Sequence, residues 1–139
     1  MIYPANFEQK IGFDRVREQV AALCCMSVAR ERVLGEEFSV SRKEIERRQE
    51  SADEMRQMLM IDPATPRDEY PNMDAVLAKL GVEGAFLTVE EVVVLRRALT
   101  AVGNMVGFVL SRQQSQYPRL HKRSESVCVF PDIIRRINQ

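Results

Sequence analysis

The sequence predicts an all-α domain, a bundle of about six helices built around one long central helix. Its strongest signal is the stretch 88–110, where apolar residues recur three and four apart, as on one helix face. A helix of that length extends roughly 33 Å, the width of a small domain. Two capping boxes, Thr88 with Glu91 and Ser41 with Glu44, mark helix starts. The apolar positions of the central helix are Val92, Leu95, Leu99, Val102, Val106 and Val109.

The first third of the chain predicts three short helices separated by polar or glycine signals. Asn6 and Asp14 are suitable N-caps for the first two, and Ser27 for the third. Gly12 and Gly35 are suited to end the first and the third. The predicted ranges are 7–11, a helix beginning after Asp14, and 28–34.

A fourth helix is predicted over residues 42–61, with charges of both signs in its first half. Pairs three or four apart, such as Glu44 with Arg47, indicate a solvated face supported by intrahelical contacts. Its second half carries Met55, Met58 and Met60. These methionines indicate core packing, with a pliable interaction surface as the alternative.

Three prolines in residues 62–71 predict a loop, because proline lacks an amide donor and disfavours helix before it. We read its acidic pair, Asp68 and Glu69, as a contribution to solubility. A short helix is predicted over 74–80, a turn over 81–84 and a helical turn over 117–122. Pro131 opens a final helix that reaches residue 139 with no C-cap signal. We therefore expect residues 1–139 to form a single helical domain that is the N-terminal fragment of a longer protein.

Composition argues against several functions. Twenty basic residues balance twenty acidic ones, whereas a domain that binds nucleic acid alone usually has a basic excess. The apolar runs are only a few residues long, so we expect no membrane span. Three cysteines and one histidine match no metal-site spacing, which favours reduced thiols in a cytoplasmic protein.

No catalytic or cofactor motif is visible, so we expect no enzyme activity, cofactor or metal in this chain. A phosphate-binding Walker loop is absent. His121 has no nucleophile at a recognised spacing and is read as a solvated side chain. Gly103 and Gly107 share one side of the central helix, as tolerated surface residues or as a point of close approach by another helix.

Basic residues near the C-terminus are the candidates for contact with nucleic acid, with a solvated surface as the alternative. They are Arg119, Lys122, Arg123, Arg135 and Arg136.

Several stretches, taken in order, resemble the N-terminus of type-two MutS proteins, relatives of mismatch-repair MutS that lack its mismatch-reading domains. They are MIYPANFEQKIGFDRVREQV at the start, SVARERV at 27–33, VEGAFLTVEEVVVLRRAL at 82–99, YPRL at 117–120 and VFPDIIRRI at 129–137. One departure lies at 27–30, where the family often has Ser-Pro-x-Gly and this chain reads Ser-Val-Ala-Arg.

The resemblance implies a parent that is a dimeric ATPase using ATP and Mg, with a C-terminal Smr endonuclease domain. It further implies action on branched DNA to suppress homologous recombination, or on collided ribosomes, and leaves open which. For residues 1–139 it implies a non-catalytic helical core or lever segment and transfers no catalytic residue. The alternative is an autonomous protein–protein interaction module that uses the Met-rich helix or the final helix.

Overall fold

The computed structural model describes residues 6–139 and folds this range into helices with no strand. The all-α fold class is therefore confirmed, with eight helices in place of about six. Residues 1–5, which open the MutS-like stretch, lie outside the described residues. The helices are α1 (Phe7–Lys10), α2 (Phe13–Ala22), α3 (Ser27–Leu34), α4 (Arg42–Ile61), α5 (Asp74–Leu80), α6 (Val89–Ser111), α7 (Pro118–Glu125) and α8 (Pro131–Ile137).

The predicted central helix is α6, which is 23 residues long. The Thr88 side chain accepts a hydrogen bond from the backbone N–H of Glu91 at 3.3 Å. The Glu91 carboxylate in turn accepts one from the backbone N–H of Thr88 at 2.8 Å. This reciprocal pair satisfies two amides that helix geometry leaves without partners, so the predicted capping box is confirmed.

Two of the predicted N-caps were wrong by one or two residues. Gly12 is the N-cap of α2, in a left-handed conformation with φ of +73° that favours glycine, so Asp14 lies within the first turn. Met26 is the N-cap of α3, and Ser27 is its first residue. Asn6 precedes α1 without a side-chain capping bond. The Ser41 hydroxyl does accept a bond from the backbone N–H of Glu44, at 3.4 Å.

Helix α6 contacts α5, α7 and α8, and α7 also contacts α4. The main core forms where α4, α6 and α7 meet, around the buried residues Met58, Val109 and Tyr117. Met58 is 0% exposed. The predicted core role of Met58 is therefore confirmed, while Met60 is 72% exposed and contributes nothing to this cluster.

Helices α1, α2 and α3 form a second group of contacts, joined by aromatic packing. The ring of Phe38, in the α3–α4 connection, lies 5.9 Å from that of Phe7 and 5.1 Å from that of Phe13. Arg17 donates a hydrogen bond to the backbone carbonyl of Glu36 at 2.5 Å. This guanidinium also pairs with Glu8, so it links α1, α2 and the α3–α4 connection.

By length and composition, α6 could also cross a membrane, since its most apolar window has a mean hydropathy of 1.5. The prediction of no membrane span was based on the length of unbroken apolar runs, and it did not consider the mean hydropathy of a whole helix. Core helices meet the same criterion. Helix α6 contributes the buried residues Ala101, Val106 and Val109, and 17% of its most apolar window is buried. One such helix is therefore weak support for a membrane span.

The two glycines of α6 face open space in this structure. A Cβ built on Gly103 or on Gly107 would meet no atom within 4 Å. Within residues 6–139, neither glycine is therefore a point of close helix approach.

Candidate functional site

Arg119, the first of the candidate basic residues, is tied to α4. Its guanidinium lies 2.6 Å from the Glu50 carboxylate. The backbone N–H groups of Arg119 and Leu120 both donate to Oε2 of Glu54, each at a distance of 2.9 Å. The Glu54 carboxylate thus satisfies free amides in the first turn of α7, where negative charge is favourable. Arg119 therefore serves first as a link between α4 and α7.

The remaining candidates differ in their surroundings. Lys122 lines a surface depression together with Arg119 and three acidic residues, Glu50, Glu54 and Glu125. Arg135 lies 2.5 Å from Asp132, one turn earlier on α8. Arg123 and Arg136 form no ion pair within residues 6–139, and both are exposed.

His121 is not solvated as predicted, since its side chain is 15% exposed. Its Nδ1 atom lies 3.4 Å from Oε1 of Glu125 but makes no hydrogen bond to any group in the described residues. His121 lies on the side of α7 that also carries the half-buried Leu120 and the buried Ser124. A single sequence cannot show which side of so short a helix is covered.

Metal-ligating side chains are dispersed in the described part of the chain. No three of the His, Cys, Asp and Glu residues in 6–139 lie close enough to hold a metal ion. Cys24, Cys25 and Cys128 are free thiols.

Polar contacts hold α6 to the connection between α4 and α5 (residues 62–73). Asp62 accepts a hydrogen bond from Arg112 at 2.8 Å, and Asp68 accepts one from Asn104 at 3.1 Å. Glu69 accepts one from Arg97 at 3.1 Å. As the connection proceeds from 62 to 69, its partners move back along α6 from 112 to 97. The connection therefore runs antiparallel to α6 and fastens it at several points.

Contacts at the two ends of α6 lower the pKa values of the acidic groups that make them. The hydrogen bond from Arg112 lowers the pKa of the Asp62 carboxyl, against the opposing effect of its desolvation. At the other end, the hydrogen bond from Lys79 lowers the pKa of Glu91, helped by the backbone N–H of Thr88. Both acids are therefore held in their charged form, which fixes both ends of α6 to neighbouring segments.

A cleft of about 700 Å³ opens among α3, α4, α6 and α7. Its floor is apolar and comes from α4, α6 and α7, while α3 contributes to its edge. Four arginines and one glutamate (Glu36) line it. Arg47 and Arg48 share the carboxylate of Glu44, and Arg48 also pairs with Glu36. The apolar lining includes Met55, Met105, Val102, Val106, Leu120 and Val127, and the other arginines are Arg32 and Arg123.

Sequence reasoning identified Met55 but not the cleft itself. The Met-rich half of α4 and the apolar face of α6 were recognised separately, and no local signal shows that they border one opening. Asp68 and Glu69, which we read as solubilising, instead contact α6. Nothing in the sequence indicated these contacts with Asn104 and Arg97, because residues of a loop follow no periodic pattern that would indicate their partners.

Comparison with known proteins gives one clear relationship. Over 129 residues, 93% of this chain, the sequence is 31% identical to "Endonuclease MutS2" of Pelotomaculum thermopropionicum. The chain covers 16% of that protein's length. No family model matches the chain, and no solved structure matches it. The chain is thus related to a MutS2 protein and corresponds to a small part of a much longer polypeptide.

Proposed function

We propose that this chain is a non-catalytic helical core or lever segment of a MutS-like ATPase and endonuclease. The similarity to a MutS2 endonuclease along 93% of the chain is the observation that carries the proposal. The polar contacts along α6 support it, because a lever must move as a unit and α6 is fastened at both ends and between them.

The catalytic functions would belong to other parts of the parent. ATP and Mg would bind in its ATPase domain, and the Smr domain would cleave nucleic acid. The parent would act as a homodimer in the cytoplasm, on branched DNA or on collided ribosomes. Residues 1–139 would transmit the nucleotide state to the surfaces that hold these substrates. The partly neutralised basic residues of α7 and α8 fit a segment that transmits motion more than one that binds DNA tightly.

The contact between Asp62 and Arg112 gives a direct test in the full-length parent. Asp62→Arg and Arg112→Asp each break the contact, and the double exchange restores an opposite-charge pair. We expect each single variant to reduce the effect of ATP on the affinity for branched DNA or stalled ribosomes, and the double variant to regain it. Basal ATPase activity should stay unchanged. Normal nucleotide coupling in both single variants would contradict the proposal.

A second test uses the isolated chain after its folding has been verified by circular dichroism. We expect no ATPase or nuclease activity and only weak, salt-sensitive binding to a four-way DNA junction. Tight binding that persists at high salt would indicate a DNA-binding module in its own right.

The alternative is a protein–protein interaction module, favoured by the cleft with its methionine-containing floor. Methionine side chains adapt to different apolar partners. This candidate predicts a defined complex with a separate protein when the chain alone is the bait, whereas the lever does not require one.

A further inference from the structure

The chain exposes more surface than a compact domain of its size. Its accessible surface is 10679 Å². A compact monomer of this mass exposes about 7,400 Å², so roughly 3,300 Å² more is exposed here. An elongated helical shape accounts for part of the difference. A permanent interface buries about 1,000 to 2,500 Å² on each partner, so an excess of this size is enough for one side of such an interface.

The cleft is the part of that surface with a defined shape. Methionine, valine and leucine side chains from three helices line its floor. A groove of this kind accepts the apolar stripe of an amphipathic helix, whose anchors recur at three and four residues. Met55 and Met105 give the floor the adaptability to fit such anchors.

The charged residues around the floor indicate which residues should flank the apolar stripe of the bound helix. Arg32 and Arg123 are exposed at the cleft and form no ion pair within residues 6–139. Arg47 and Arg48 are close to half exposed and share one carboxylate, that of Glu44. Glu36 is the one acidic residue among the described lining residues, so the four arginines give the lining a basic excess. Acidic residues on a bound helix would complement this excess.

We infer that the cleft seats an amphipathic helix whose apolar stripe is flanked by aspartate or glutamate, supplied by the remainder of the parent polypeptide. The chemistry of the helix follows from the cleft alone. Its source rests on the proposed function, since the chain covers 16% of the related endonuclease. A nucleic-acid strand fits less well, because Tyr70 is the only aromatic side chain among the described residues that line the cleft, and bases need such side chains to stack on.

The experiment uses the full-length parent with a photo-crosslinking amino acid at Val102, which lines the cleft, and at Val40, which is 93% exposed and does not line it. Mixing light and isotope-labelled protein separates links within one polypeptide from links between copies. We expect irradiation at Val102 to give links within one polypeptide to a single helix that carries acidic residues beside an apolar stripe. Irradiation at Val40 should give at least tenfold less of that product.

Charge reversal then tests the role of the arginines. Arg32→Glu with Arg123→Glu should reduce the Val102 product at least fivefold, and acid-to-lysine changes in the linked helix should restore it. Arg30→Glu, on the same helix as Arg32 but outside the cleft lining, is the matched control and should have no effect. Links to another protein, to nucleic acid or to a second copy, or no links, would overturn the inference. Loss of nucleotide coupling in the Asp62 and Arg112 variants is a separate readout, so failure of the lever role and failure of the cleft assignment can be told apart.

Discussion

The carboxylate of Glu54 on α4 accepts a hydrogen bond from the backbone N–H of Arg119, with nitrogen–oxygen distances of 3.0 and 2.9 Å to its two oxygens. The contact places an acidic side chain of one helix at the positive end of another. It complements the apolar contacts of Met58 with α6 and α7, and it sets the position at which α7 begins against α4.

Replacing Glu54 with alanine should therefore destabilise the chain by about 1 kcal/mol, because the first amides of α7 lose a charged acceptor. Glutamine, which keeps an acceptor oxygen but no charge, should cost less. Glu37→Ala, at an exposed position, is the control and should change the free energy of unfolding by less than about 0.5 kcal/mol. Urea denaturation followed by circular dichroism gives the comparison. Equal stability of the Glu54→Ala and Glu37→Ala variants would contradict the assigned role.

Met58→Ala should lower the free energy of unfolding by about 2 to 5 kcal/mol, since it leaves a cavity in the main core. Met60 lies two residues further along α4 and is 72% exposed, so Met60→Ala is a matched control with an expected effect below about 0.5 kcal/mol. Thermal or urea unfolding separates the two. Similar losses in both variants would mean that α4 packs with a different face.

Thr88→Ala should cost about 1 kcal/mol, because the backbone N–H of Glu91 loses its side-chain acceptor at the start of α6. Thr88→Ser keeps the hydroxyl and should retain most of the stability. Amide hydrogen exchange in the first turn of α6 should increase in the alanine variant alone. Unchanged exchange there would show that the capping box contributes nothing measurable.

The pH dependence of stability should reveal the contact between Asp62 and Arg112. Because the folded pKa of Asp62 is lowered, its contribution is fully present above the unfolded value of about 4 and is lost as the pH falls through the lower folded value. The wild type should therefore be more stable than Asp62→Asn at pH 7, and the difference should shrink as the pH falls below about 4. Urea unfolding at pH 7, 4 and 3 tests this. A difference that persists unchanged at the lowest pH would assign the effect to packing.

Two glycines should respond oppositely to alanine. Gly103→Ala should raise stability by about 0.5 to 1 kcal/mol, since α6 has open space there and alanine favours helix. Gly84→Ala should lower it by about 1 kcal/mol, because Gly84 has a φ of +77° that disfavours a side chain. Thermal melts of both variants provide the measurement.

If Gly103→Leu is tolerated in the isolated chain but not in the full-length parent, a helix from elsewhere in the parent approaches α6.

The helix positions were largely predictable because their signals are local. The apolar period of α6, the threonine cap and the proline at the start of α8 each act within a few residues, and the structure follows all three. The errors at α2 and α3 amount to one or two residues. There the backbone angles of Gly12 and Met26, and not the nearby polar side chains, decide where the helix begins.

The candidate site was far less predictable because it depends on contacts between distant segments. The ion pair of Arg119 with Glu50 arises from α4 packing against α7, and the burial of His121 depends on which side of α7 is covered. The acidic residues Asp68 and Glu69 found partners on α6 that no spacing rule connects to them. A basic cluster read along the sequence is therefore a poor guide when acidic residues from another helix fold onto it.

The antiparallel course of the α4–α5 connection along α6 also has a consequence for the order of folding. The pairs Asp68–Asn104, Asp62–Arg112 and Glu54–Arg119 are 36, 50 and 65 residues apart, and each encloses the one before. Once the innermost of these three pairs has closed, the next must close only a short additional loop, which costs little chain entropy. Assembly from the inside outwards predicts that substitutions at Asp68 slow folding, whereas substitutions at Glu54 mainly speed unfolding. Stopped-flow refolding of the two variants would show whether the chain closes from its centre towards its ends.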